Sequence, residues 1–117
     1  MTQDWSRPVV HWEIQAKDAD KMSDFYSKMF NWEIGAGQIR NISAGIGAPE
    51  PITGHIRQAD ASGPVLYVQV LSLKDTLTRC GELGGRVVRE PFDPGGRPPT
   101  LAWIDDPEGN RLVLVQQ

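Results

Sequence analysis

A chain of 117 residues has the length of one domain, or of two small halves sharing a core. Hydrophobic residues at 39% and charged residues at 23% exclude a disordered or collagen-like chain, and a net charge of −3 argues against a general binder of phosphate backbones. Cys80 is the single cysteine, so no internal disulfide framework and no cysteine-pair zinc motif is available.

Met1 to Val10 carries Asp4, Arg7 and Pro8 where a signal peptide would have its apolar core. No run approaches the roughly 18 apolar residues of a membrane span. The expectation is a cytoplasmic protein that engages neither membrane nor nucleic acid. The first periodic stretch is VVHWEIQ, Val9 to Gln15. Read as a strand, it places Val9, His11, Glu13 and Gln15 on one face and Val10, Trp12 and Ile14 on the other. The second face suits a core. The first presents an imidazole, a carboxylate and an amide in a row.

Asp18 then sits where a helix cap belongs, and Met22, Phe25, Tyr26, Met29 and Phe30 recur at helical spacing, predicting an amphipathic helix with all five toward the core. Asn31 turns the chain into Trp32-Glu33-Ile34, a second strand. Gln38 to Ser43 and Pro51 to Arg57 are further short strands punctuated by glycines. QADASGP, residues 58 to 64, reads as a linker that halves the chain.

Beyond the linker the pattern restarts. Val65 to Val70 is a strand with Val65, Tyr67 and Gln69 on one face. Ser72 caps a helix whose stripe is Leu73, Leu77 and Cys80, ending at Gly84-Gly85. Arg86 to Phe92, Leu101 to Ile104 and Leu112 to Gln116 are strands, the last entered through the turn Asp106-Pro107-Glu108-Gly109. The chain therefore reads as βαβββ twice, residues 9 to 57 and 65 to 117, within a single 1 to 117 domain. Pairing His11 with Val65 sets the repeat at 54 residues, whereas pairing the helix ends Phe30 and Leu83 sets it at 53.

VVHWEI, Asp18 and FYSKMFNWEI in the first half, with LYVQV, ELGGRVV and DPEGNRLVLVQ in the second, resemble the vicinal oxygen chelate superfamily of glyoxalases, bleomycin resistance proteins and extradiol dioxygenases. The resemblance spans nearly the whole chain. It implies an α+β fold of two βαβββ modules whose curved mixed sheet encloses a cleft, often completed by a second copy of the chain. It also implies a divalent metal held by His, Gln or Glu on the first and last strands of each module. His11 falls on the first of these positions. Val65 and Val113 fall on two others, where an aliphatic side chain cannot bind metal, and His55 is the one ligand-type side chain near the fourth. A metal site of His11, Glu13 and His55 would be incomplete; zinc, nickel, iron or manganese is the set to consider, and no cofactor is the leading expectation.

His11 and Glu13 are the candidate catalytic pair, since a carboxylate beside an imidazole can raise its basicity. Gln15, Tyr67, Gln69, Trp103 and Arg97 are candidate ligand contacts, Arg97 from a loop, DPGGRPP, that has the composition of a lid. Each has a plainer alternative: sheet packing for Tyr67, core burial for Trp103, solvation for Arg97 and for the glycine-flanked His55. Cys80, in an apolar stripe, reads as an inert thiol. The leading expectation is a homodimeric small-molecule-binding protein whose metal site is largely lost. The rival is a metal-dependent lyase or dioxygenase-type oxidoreductase using His11 with Glu13 or His55, and metal-free acid/base catalysis by His11 and Glu13 is a third.

Overall fold

The computed structural model of the chain describes residues 6–43, 51–93 and 100–116. Its elements are β1 (Val9–Ala16), α1 (Ala19–Phe30), β2 (Ile39–Ile42), β3 (Gly54–Gln58), β4 (Gly63–Val70), α2 (Leu73–Glu82), β5 (Arg86–Phe92), β6 (Leu101–Asp105) and β7 (Arg111–Gln116). Two compact units result, His11–Val65 and Met1–Val10 with Leu66–Gln117. The class is α+β with mixed parallel and antiparallel pairing.

In the His11–Val65 unit the strand order is β2-β3-β1, β3 pairing antiparallel with β2 and parallel with β1. A parallel partner needs a crossover, and α1 supplies it. Asp18 accepts a hydrogen bond from the Lys21 amide at the start of α1, and Asn31 ends it in the left-handed conformation at φ 59°. Ala16, Ala19, Ile42 and Ile56 form the core here, with Trp12, Ile14, Met22, Tyr26, Trp32 and Ile34 packed around it. Tyr26 stacks on Trp32 at 5.2 Å between ring centroids, and Trp12 meets the other side of the cluster at 5.4 Å from Trp32.

The second unit repeats the plan with strand order β4-β7-β6-β5, β4 and β7 parallel and the rest antiparallel. Its core is Val70, Leu73, Ala102, Ile104 and Leu114, with Leu77 and Cys80 of α2 against it, as the helical stripe predicts.

The repeat is written in backbone contacts rather than letters. β1 and β4 are each 8 residues long and lie 54 positions apart, 9 to 63 and 16 to 70. The helix caps keep that spacing: Asp18 accepts from the Lys21 amide, and Ser72 from the Asp75 amide. In both units a glutamine at the end of the last strand turns back to accept from the first helical amide, Gln58 from Ala19 and Gln116 from Leu73. The spacing is therefore 54 at the helix starts, and at the helix ends, Phe30 and Glu82, it is 52 in place of the expected 53, because α2 has 10 residues to the 12 of α1.

Three expectations are corrected. Trp32 to Ile34 makes only a single bridge, Ile34 to Ile42, in place of a strand, because Trp32 is drawn into the aromatic cluster on α1. The linker shrinks to 59–62, since β3 extends to Gln58 and β4 begins at Gly63. Of the five apolar residues on α1, only Met22 and Tyr26 join the core; Phe25, Met29 and Phe30 are more than half exposed, the stripe being wider than the face the three strands offer.

Gly54 faces the Trp12 indole so closely that a Cβ there would lie 2.1 Å from a ring carbon. Gly54→Ala is expected to destabilise the fold by about 2 kcal/mol or more through overpacking. A denaturation midpoint equal to wild type would show that Trp12 has another place to go.

Candidate functional site

Parallel pairing of β1 with β3 puts Glu13 opposite His55 and Gln15 opposite Arg57. Trp12, Ile14 and Ile56 are taken by the core beneath α1, so the alternate positions His11, Glu13, Gln15, His55 and Arg57 share the face turned away from the helix. The polar row expected on β1 is present, and β3 answers it with a second row.

These side chains form a continuous line. The Thr53 hydroxyl lies 2.9 Å from His11 Nδ1, His11 Nε2 lies 2.7 Å from His55 Nδ1, and His55 Nε2 lies 2.7 Å from Glu13 Oε1. Arg57 Nε donates to the same Glu13 oxygen at 3.1 Å. Glu13 is 2% exposed and His55 6%. His11 is half-buried and Thr53 exposed, so the line runs from a buried anion to a solvent-facing hydroxyl.

Burial alone would raise the Glu13 pKa, but hydrogen bonds from His55 and Arg57, with the Arg57 charge, outweigh it and hold the carboxyl at about 2. An ionised Glu13 can only accept, so His55 donates through Nε2–H. With both rings neutral, the rest follows: His55 Nδ1 accepts from His11 Nε2–H, and His11 Nδ1 accepts from the Thr53 hydroxyl. This tautomer assignment is inferred from the network. The His11 pKa is lowered, chiefly by burial and then by the neighbouring His55, against a smaller raising effect of Glu13.

His55 therefore corrects the reading of a glycine-flanked surface histidine: it is buried between its partners. The other expected contacts fall elsewhere. Gln15 is buried on the same face of β1. Tyr67 and Gln69 lie on β4, where Tyr67 pairs in register with Val113 and Gln69 with Val115. Trp103, whose face the sequence left open, is a register neighbour of Val113 and Arg89, opposite the Ala102 and Ile104 side that meets α2. Phe92 meets Trp103 edge-on at 6.0 Å, and the Arg89 and Arg111 guanidiniums lie 5.2 and 5.5 Å from its ring. Arg97 and the centre of its loop lie outside the described residues. Thr53 and Arg57 were missed, although Thr53, His55 and Arg57 alternate as plainly as His11, Glu13 and Gln15.

A cavity of about 570 Å³ lies in the other unit between α2 and the end of β6, with Arg79, Cys80, Leu83, Ile104 and Asp106 among its walls. None of the residues expected to bind ligand lines it. Burial pushes the Cys80 thiol up, in keeping with an unreactive cysteine.

A family model described as a glyoxalase-like domain matches residues 11–115. The chain belongs to this family. A glyoxylase-like domain-containing protein of Didymella fabae is 27% identical over 112 residues, covering 87% of this chain and 88% of that one. Among solved structures, a glyoxalase/bleomycin resistance protein/dioxygenase superfamily member from Vibrio splendidus 12B01 has a TM-score of 0.64 at 12% identity, covering 95% of this chain and 98% of that one. Methylmalonyl-CoA epimerase from Mycobacterium tuberculosis has a TM-score of 0.53 at 18% identity, covering 92% and 86%. At such identities the structural likeness shows the fold of the vicinal oxygen chelate superfamily.

The side chains of this glyoxalase-like chain do not fit the divalent metal often found in that superfamily. Glu13 engages Nε2 of His55 while His11 engages Nδ1, so the three donors do not converge on one point. Among the described residues no group of three His, Cys, Asp or Glu side chains could hold an ion. The register also aligns Glu13 and His55 with Tyr67 and Val113, and 54 positions on from His11 stands Val65. Both valines are buried and aliphatic. A catalytic zinc usually has about three protein ligands.

The buried line makes stability acid-sensitive with a defined sign. The folded pKa of Glu13 lies below its ordinary 4.5, so its contribution is present above pH 4.5 and lost as pH falls toward 2, on the order of 3 kcal/mol in all. The lowered pKa of His11 means the unfolded chain takes up a proton first, so a further loss begins below pH 6.5. Denaturant unfolding from pH 7 to pH 3 should show both losses, the one that begins below pH 6.5 absent in His11→Ala and the one below pH 4.5 absent in Glu13→Gln. A wild-type stability flat between pH 5 and 3 would contradict the Glu13 assignment.

Proposed function

We infer that the protein binds a small organic molecule on the polar face of β1 and β3 without a metal, His11 and Thr53 meeting the ligand and His55, Glu13 and Arg57 holding them. The observation that carries this reading is the Glu13–His55–His11 line: its inner nitrogens and carboxylate are spent on one another, and its outer end is accessible. Small-molecule sites place a few polar groups at fixed points among apolar walls, and this face supplies the polar part. Gln15 is a further amide on the face, and Tyr67, Gln69, Trp103 and Arg97 are the contacts we assign to the second half of the chain.

An acid/base role for His11, with Glu13 acting through His55, is the enzymatic form of the same reading. It is favoured over a metal-dependent lyase or dioxygenase by the spread of the donor set. The fold likeness to a methylmalonyl-CoA epimerase supports carbonyl compounds as the class to screen first.

Elemental analysis of protein incubated with zinc, nickel, iron and manganese is expected to show substoichiometric metal in both wild type and His11→Ala. A thermal-shift screen of small carboxylic acids and esters should give ligands whose stabilisation falls in His11→Ala, since a ligand that binds only the folded state raises its stability. One equivalent of metal in wild type, lost in the variant, would overturn the reading. We also infer a homodimer in the cytoplasm, supported by the exposure of Phe25, Met29 and Phe30 on α1. Sedimentation at micromolar concentration is expected to give twice the chain mass, and a monomer there would refute it.

A further inference from the structure

The line of hydrogen bonds ends on a hydroxyl. We propose that Thr53 is a nucleophile, activated by His11 through His55 and Glu13, that takes the acyl group of activated carboxylic esters. The inference rests on the metal-free reading of the histidine pair and adds to it a covalent step.

Three properties carry it. The first is reach: nucleophile to base, base to second ring and second ring to carboxylate are all within 2.7 to 2.9 Å, the hydrogen-bond distances that mark a base-activated hydroxyl. The second is polarity. With both rings neutral, the hydrogen bond from His55 to Glu13 orders the protons so that His11 Nδ1 presents a lone pair to Thr53, the arrangement in which a histidine accepts a proton from an attacking oxygen. The third is access: Thr53 is exposed while Glu13 and His55 are buried, so a reagent meets the hydroxyl and water does not meet the anion. A threonine bonded to a surface histidine is ordinarily only a polar contact. Here the histidine is backed by a second ring, and that ring by a carboxylate that Arg57 keeps in place.

The step balances without an oxidant or a metal. The Thr53 oxygen forms a bond to the ester carbonyl carbon as its proton passes to His11 Nδ1. His11 passes its Nε2 proton to His55 Nδ1, which moves the positive charge beside the Glu13 carboxylate. The bond from carbonyl carbon to the leaving oxygen then breaks, and the leaving group departs with the electron pair. Water, deprotonated by the same histidine, hydrolyses the acyl-threonine, so that ester and water give acid and alcohol. Because His11 is half-exposed, its proton is shared with solvent rather than delivered to a poor leaving group, and the substrate class is esters whose leaving group needs little protonation.

The test uses the full chain with p-nitrophenyl acetate in the presence of a chelator, following p-nitrophenolate release and the intact mass. The expected result is one adduct of about 42 Da per chain on Thr53, as an acetyl-enzyme requires. Release should fall about a hundredfold in His11→Ala, within the range for loss of a general base. Thr53→Val should abolish the adduct and Thr53→Ser should restore it; both substitutions are at an exposed position and leave the core untouched. An adduct on another residue, or wild-type release by Thr53→Val, would overturn the proposal. Ligands whose stabilisation is lost in His11→Ala and weakened in Thr53→Val, with no adduct on wild type, would overturn it while leaving the binding reading intact. Stoichiometric metal uptake would defeat both.

Discussion

Burying a carboxylate on the face of a sheet costs several kcal/mol unless hydrogen bonds and an opposite charge answer it. Glu13 is such a group, and the organisation of its unit follows from what satisfies it. Its oxygen accepts from His55 and Arg57, both from β3, so the parallel register of β1 and β3 is fixed by chemistry as well as by the apolar packing of Trp12, Ile14 and Ile56 on the other face. A slip of one residue would turn the carboxylate toward α1 and the indole toward the polar row.

Once Glu13 is held ionised, and with both rings neutral, the rest of the line is assigned. His55 must donate to it, His11 must donate to His55, and a lone pair is left at His11 Nδ1. A buried charge thus becomes a directed acceptor at the surface, three groups away. The same arrangement sets the donor atoms of these three residues apart rather than around one point. The carboxylate that might have been a third ligand is committed to the far side of His55, and the inner nitrogens of the two rings are committed to each other.

The two units show which features the family fold requires and which it leaves open. At matching positions both have a capping side chain at the helix start, a glutamine returned from the last strand to the first helical amide, and a parallel pairing between first and last strands. These satisfy backbone groups that any sequence adopting the fold must satisfy. The facing side chains differ entirely: where the first unit sets Glu13 against His55, the second sets Tyr67 against Val113. Membership of the glyoxalase-like family accounts for the first set of features and is silent on the second.

Much of this was legible in the letters. Alternation in VVHWEIQ assigned His11, Glu13 and Gln15 to one face, the spacing of Leu73, Leu77 and Cys80 assigned α2, and the repeated strand–helix start of each half was read from caps and glycines, because each depends on neighbours along the chain; the first half has two strands after α1 where three were expected. The width of the α1 stripe misled, since periodicity reports which side of a helix is apolar and not how much sheet is there to cover it. His55 was legible only as a ligand-type side chain, with a solvated surface histidine as the plainer alternative. Its meaning depends on lying beside Glu13, 42 residues away in sequence, and the glycines and prolines before it hide the strand register on which that depends. The sequence by itself determined the elements and the polar face of β1, because those are local consequences of side-chain period. Only the tertiary structure decided that Thr53, His11, His55 and Glu13 form one line, because hydrogen bonds between strands exist only once long-range pairing has set their register.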